Sequence, residues 1–119
     1  MKWNLDKSKP ICPQICEQIC VHIASGELSS GDRLPSVRDL AVEIGVNPNT
    51  VQRSYEILEQ QGIITTVRNS GRFVGEDITL AKSAVEKLML TKTQVYFSEM
   101  LSLGLCESEI KAYIEEWNV

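Results

Sequence analysis

Leu34-Pro35-Ser36-Val37-Arg38-Asp39-Leu40-Ala41-Val42-Glu43-Ile44-Gly45-Val46-Asn47-Pro48-Asn49-Thr50-Val51-Gln52-Arg53-Ser54-Tyr55 holds two helix starts with a helix stop between them. Ser36 and Asp39 stand in S-x-x-D spacing just ahead of Leu40, Ala41 and Ile44, a capping box with the shorter acid. Gly45 tolerates the left-handed backbone that ends a helix. Asn47 then reads as the cap of a further helix, with Pro48 preorganised at its first position. Val51, Tyr55 and Leu58 form the inward face of that helix and Gly62 ends it. Two helices joined only by Gly45-Val46-Asn47 predict a helix-turn-helix.

Upstream, Ile11, Ile15, Ile19 and Ile23 recur every four residues and predict a helix over 11–25. Pro10 and Pro13 lie in or before its first turn, where a missing N–H costs little. Gly26 stops it, and Glu27 to Pro35 reads as a Ser- and Gly-containing loop.

Downstream the period changes. Ile63-Ile64-Thr65-Thr66-Val67 is rich in β-branched residues and predicts a strand, and Arg72-Phe73-Val74 a second. Arg68-Asn69-Ser70-Gly71 between them is turn chemistry, because Asn and Gly accept positive φ. A hairpin directly after a helix-turn-helix, with Arg68 and Arg72 at the ends of its turn, is a wing. Residues 78–103 then read as a long helix broken at Gly104, and residues 107–117 as a last helix carrying Ile110, Tyr113, Ile114 and Trp117. The expected fold is mainly α with a small β-hairpin: a winged helix-turn-helix over 1–76 and a two-helix dimerisation tail over 77–119.

Charge divides along the same line. Residues 1–75 carry eight Lys/Arg and eight Asp/Glu, whereas residues 76–119 carry four lysines against eight acids, so the net charge of −4 belongs to the tail. Between Lys9 and Lys82 every cation is an arginine: Arg33, Arg38, Arg53, Arg68 and Arg72. The planar five-donor guanidinium suits phosphate and guanine better than an ammonium does. No run of roughly 18 apolar residues predicts a membrane span. Met1-Lys2-Trp3-Asn4-Leu5-Asp6 lacks the apolar core of a signal peptide, so the expected location is cytoplasmic.

Cys12, Cys16 and Cys20 fall along one edge of the isoleucine stripe, and Cys106 stands alone. Packing as small hydrophobes is the leading reading of the three, and no second ligand cluster of zinc type accompanies them. Neither a metal nor a cofactor is expected. The single histidine, His22, reads as a surface or boundary residue, and Trp3 and Trp117 as packing or dimer anchors. With no P-loop, no H-E-x-x-H and one histidine, the sequence offers no catalytic residues and predicts no enzyme.

The block from Leu34 to Ala41, the block Gly45-Val46-Asn47-Pro48-Asn49-Thr50-Val51 and the hairpin end Gly71-Arg72-Phe73-Val74 resemble the GntR family of bacterial regulators. The likeness covers roughly residues 10–75 in unbroken order. The short two-helix tail is similar to that of the YtrA subfamily, which lacks the larger ligand-binding domains of its relatives. Three positions depart from the family pattern. Asn69 stands where the wing often has a glycine, and Asn is the best substitute for that backbone. Pro48 replaces a polar or basic residue and puts one family contact in question. Cys12 replaces an aromatic residue.

The resemblance implies a sequence-specific DNA-binding regulator, a repressor working as a homodimer on a two-fold symmetric operator; family habit points to a transporter operon. The exposed positions at the start of the recognition helix are Asn49, Thr50, Gln52 and Arg53. Arg53 can fork to guanine or bind phosphate, and Gln52 can pair with adenine. The resemblance also carries over Arg38, Asn49 and Thr50 as contacts and the wing tip around Gly71, flanked by Arg68 and Arg72, as a probe of backbone or minor groove. Double-stranded DNA and a second copy of the chain are the expected partners, with no membrane and no effector that the sequence identifies. Two other readings stay open: a winged-helix protein-interaction module without DNA activity, and a thiol- or metal-responsive regulator using the same head.

Overall fold

The computed structural model describes residues 1–117. In chain order the elements are α1 (Ile11–Ala24), α2 (Val37–Ile44), α3 (Pro48–Gln60), β1 (Ile64–Val67), β2 (Gly71–Val74), α4 (Thr79–Ser102) and α5 (Glu107–Glu116). They form two compact units, Met1–Val85 and Glu86 onward.

In the first unit the local signals act as read. The Ser36 hydroxyl accepts from the Asp39 N–H at 3.1 Å, which satisfies one free donor of α2. Gly45 closes α2 at φ 68°, and the Asn47 carboxamide accepts from the Asn49 N–H at 2.8 Å to open α3 behind Pro48. Ile15, Ile19 and Ile23 of α1 are buried together with Leu40 and Ala41 of α2 and Val51, Tyr55 and Leu58 of α3. Each such aliphatic contributes roughly 1.5–3 kcal/mol by leaving water. Ser54, fully buried on the same side of α3, returns its hydroxyl to the Thr50 carbonyl at 2.9 Å, so it costs no unpaired polar group.

The wing pairs Ile64 with Val74, Thr65 with Phe73, Thr66 with Arg72 and Val67 with Gly71. Its turn holds Asn69 at φ 66°, the one described non-glycine residue with positive φ. The strands differ slightly from the expectation: Ile63 lies outside β1, donating its N–H to Leu58 O, while Gly71 joins β2.

The segment expected to be plain loop before Pro35 does more than connect. Gly31 N–H donates to Val74 O at 3.0 Å, Val74 N–H to Asp32 O at 2.8 Å and Leu34 N–H to Arg72 O at 2.8 Å. Residues 31–34 therefore cover the outer edge of β2, which is otherwise an open template for pairing. Four residues are too few to show a strand period, so the sequence hid this pairing.

His22, read as a surface or boundary residue, lies at the buried end of that range. It is 7% exposed, its Nδ1 lies 2.5 Å from Glu27 Oε2, and its Nε2 lies 2.9 Å from the Lys2 carbonyl. The Trp3 ring stands edge-on at 5.7 Å. Gln14 and Gln18 bond the backbone of Asp6 and Asn4 through both ends of their amides, which straps the N-terminal segment along α1. Lys7 Nζ donates to Gly45 O at 3.1 Å, so the same strap reaches the turn between α2 and α3.

Ala81 on the first turn of α4 is buried, and Ile78, Ala84 and Val85 pack on the head core. By packing, then, the head extends past residue 76 to Val85. In the second unit, Gly104 at φ 94° separates α4 from α5, and Cys106 N–H donates to Glu109 Oε1 at 3.1 Å to cap α5. Ile110 is fully buried there, while Leu90, Leu101, Leu103, Tyr113 and Trp117 are each more than half exposed. No helix among the described residues is long and apolar enough to cross a membrane.

Candidate nucleic-acid interface

One face of the N-terminal half of α3 lies beside a cleft of about 430 Å³ bounded by α2, α3 and β2. Arg33, Arg38, Ser36, Gln52, Gly71 and Arg72 contribute to its walls. The structure thus brings together four of the expected contact residues, Arg38, Gln52, Gly71 and Arg72. Asn49 and Arg53 are exposed on α3 outside this cleft, Thr50 is half-buried, and Arg68 is exposed at the wing turn.

Of the three arginines on the cleft, Arg33 and Arg38 are exposed, as a phosphate ligand must be. Arg33 was not among the expected contacts. Its guanidinium lies against Gly71, where a Cβ would sit 3.3 Å from Nη2, and φ at Gly71 is +121°. Glycine there both permits the backbone and makes room for the arginine. The pairing of residues 31–34 with β2 puts Arg33 at the cleft, and no short-range sequence signal announces that pairing.

Arg72, expected as a DNA contact flanking the wing turn, makes several contacts within the head. Its side chain is 22% exposed, Nε lies 3.4 Å from Glu59 Oε1, and the guanidinium carbon sits 5.3 Å from the centroid of the Tyr55 ring. Although the Nε–Glu59 distance is that of an ion pair, the N–H makes no hydrogen bond, because it is not aimed at the oxygen. Nη2 donates to Gln52 Oε1 at 3.4 Å, and Gln52 Nε2 donates to Glu56 Oε1 at 2.9 Å. Glu59 also accepts from the Thr66 hydroxyl of β1. Burial pushes the Tyr55 phenol up, with Arg72 opposing it, so the ring stays neutral under the cation.

The thiols of α1 lie behind α3. Burial, reinforced by Cys12, pushes Cys16 up to about 12, and burial with the Glu17 charge pushes Cys20 to about 11. The Ser54 hydroxyl lies 3.2 Å from Cys12 Sγ. No group of three or more His, Cys, Asp or Glu among the described residues is arranged to hold a metal.

A capped helix-turn-helix, a hairpin beside its second helix, and arginines on the cleft between them define a winged helix-turn-helix DNA-binding head. The sequence profile of the bacterial regulatory proteins, gntR family, matches residues 13–74, and the chain belongs to that family. It is 40% identical over 110 residues to the uncharacterized HTH-type transcriptional regulator YhcF of Bacillus subtilis, covering 92% of this chain and 91% of that protein. It is 38% identical over 92 residues to the HTH-type transcriptional repressor YtrA of the same organism, covering 70% and 71%. A solved GntR family transcriptional regulator from Listeria monocytogenes superposes with a TM-score of 0.84 at 38% identity, covering 96% of this chain and all of that one. The family consists of transcriptional regulators with DNA-binding domains, not enzymes.

Proposed function

We propose that the chain is a cytoplasmic repressor that binds a two-fold symmetric operator as a homodimer, with the winged head reading DNA and the helical tail beyond it joining the protomers. The observation that carries the DNA assignment is the juxtaposition of the exposed Arg33 and Arg38 with the half-buried Gln52 on one cleft, and of the exposed Asn49 and Arg53 of α3 beside it. Phosphate ligands at the edge of a recognition helix fix its register, and side chains at its start read bases. Arg68 and the wing tip at Gly71 reach toward the adjacent backbone or minor groove.

The second unit supports the homodimer. Leu101, Leu103, Tyr113 and Trp117 leave an apolar surface that a second copy of the same unit can cover isologously. The likeness to a named repressor supports the sign of regulation, and the free thiols fit a reducing compartment. A transporter operon is the regulated target the family resemblance favours.

Selection from a random duplex pool tests this reading. It requires an enriched inverted repeat whose half-sites lie about one helical turn apart or a multiple of it. A pool that stays unenriched, with salt-insensitive retention, would leave a protein-interaction module as the better description.

A further inference from the structure

Gln52 is held at both ends of its carboxamide by groups that cannot exchange roles. Arg72 can only donate, so the end it meets at 3.4 Å must be the oxygen. Glu56, an ionised carboxylate, can only accept, so the end it meets at 2.9 Å must be the nitrogen. A free glutamine turns its amide over at little cost; this one has a fixed sense.

The fixed sense leaves a defined remainder. A carboxamide has two N–H bonds and two oxygen lone pairs. One N–H goes to Glu56 and one lone pair to Arg72, so one donor and one acceptor stay free. Adenine in the major groove offers N7 as acceptor and the N6 amino group as donor, the complement of that pair. Guanine offers two acceptors, N7 and O6, and would leave the Gln52 oxygen facing another oxygen.

Arg72 is placed for holding rather than for neutralising a phosphate. It reaches from β2 across Gln52, Tyr55 and Glu59, which follow one another along one face of α3. Its side chain is 22% exposed and that of its partner Glu59 34%, and its Nε makes no hydrogen bond. A partly exposed ion pair of this kind adds little net stability, which fits a role in fixing geometry.

Resting on the reading of α3 as the DNA-recognition helix, we propose that Arg72 and Glu56 are positioning residues that lock the Gln52 amide in the sense that reads adenine. Arg33 and Arg38, not Arg72, then supply the cleft's phosphate contacts.

The two positioning residues have opposite charges, which separates orientation from electrostatics. Site selection and competitive titration of the full-length protein are run for wild type, Arg72→Ala, Glu56→Ala and Arg38→Ala. Wild type should prefer adenine at one position of each half-site. Glu56→Ala removes the acceptor of the Gln52 N–H, and Arg72→Ala the donor to its oxygen. Both should lower adenine-over-guanine discrimination there about tenfold, although one removes a positive and the other a negative charge. Neither should change the slope of log affinity against log salt, whereas Arg38→Ala should reduce it by about 0.9 per protomer. Glu56 is exposed, so its replacement keeps the test open even if Arg72→Ala folds poorly. Retained adenine discrimination in Glu56→Ala, absence of any adenine preference in wild type, or a slope lost in Arg72→Ala as in Arg38→Ala would overturn the proposal while leaving DNA binding intact. Failure of wild type to bind any duplex would overturn both this proposal and the reading on which it rests.

Discussion

The Tyr55 hydroxyl donates to the Pro35 carbonyl at 2.8 Å, joining the middle of the recognition helix to the segment that pairs with the wing. Leu34 N–H, one residue back, bonds the Arg72 carbonyl, and the Arg72 side chain returns over the Tyr55 ring. Helix, segment and wing thus close a loop of contacts around one buried phenol. Tyr55→Phe keeps the ring and removes the hydroxyl, leaving Pro35 O without that donor. It should lower stability by about 1 kcal/mol in urea unfolding, with an unchanged m-value.

Two wing positions with positive φ should respond in opposite ways. Gly71 combines φ +121° with the Arg33 guanidinium 3.3 Å from where a Cβ would sit. Gly71→Ala should cost about 1–3 kcal/mol from backbone strain, while Arg33 has to yield only slightly. Asn69, at φ 66° and exposed, should accept glycine with little change in thermal midpoint. Melting curves of the two variants decide whether the turn geometry is as described.

The α1 thiols should behave as packing groups with a pH signature. Folding raises Cys16 to about 12 and Cys20 to about 11, above their ordinary value near 9. Between those limits the unfolded chain has released protons that the folded chain retains, so stability falls as pH rises above about 9. Below pH 9 the contribution is fully present. Replacing Cys16 and Cys20 by Ala should lower stability at pH 7 but flatten its decline between pH 9 and 11, measured by denaturant titration. Chelator or added zinc should leave wild-type DNA affinity unchanged; a metal-dependent shift that disappears in the variant would favour a sensor.

Truncation separates head from tail. A chain ending at Val85 retains Ala81, Ile78 and Ala84 on the head core and should remain folded yet sediment as a monomer. A chain ending at Glu76 loses those residues and should be less stable. The full-length protein should sediment as a dimer at micromolar concentration, and a monomer there would remove the dimerisation role from the tail.

Most of the head was legible because its signals are local. Ser36, Gly45, Asn47 and Pro48 punctuate α2 and α3 through bonds that span only a few residues. The isoleucine stripe and the Val51–Tyr55–Leu58 face followed from helical period alone. Asn69 marked the wing turn by its tolerance of the left-handed backbone. The hidden features depend on distant pairing. Arg33 reaches the cleft only because residues 31–34 pair with β2, and His22 is buried only because residues 1–5 fold back over α1. Arg72 was legible as a cation beside the wing, but its place over Tyr55 requires the packing of β2 on α3.

The most direct measurement titrates a selected operator and a random duplex with wild type, Arg38→Ala and Arg53→Ala at two or more salt concentrations. Arg53 is exposed about one turn into α3, opposite its buried face. Its loss should cost about 1–3 kcal/mol on the operator and relax preference at one position per half-site. Loss of Arg38 should weaken both duplexes similarly and reduce the salt slope by roughly one counterion per protomer. If both replacements leave the two affinities and the two slopes unchanged, the DNA-binding face lies elsewhere on the molecule.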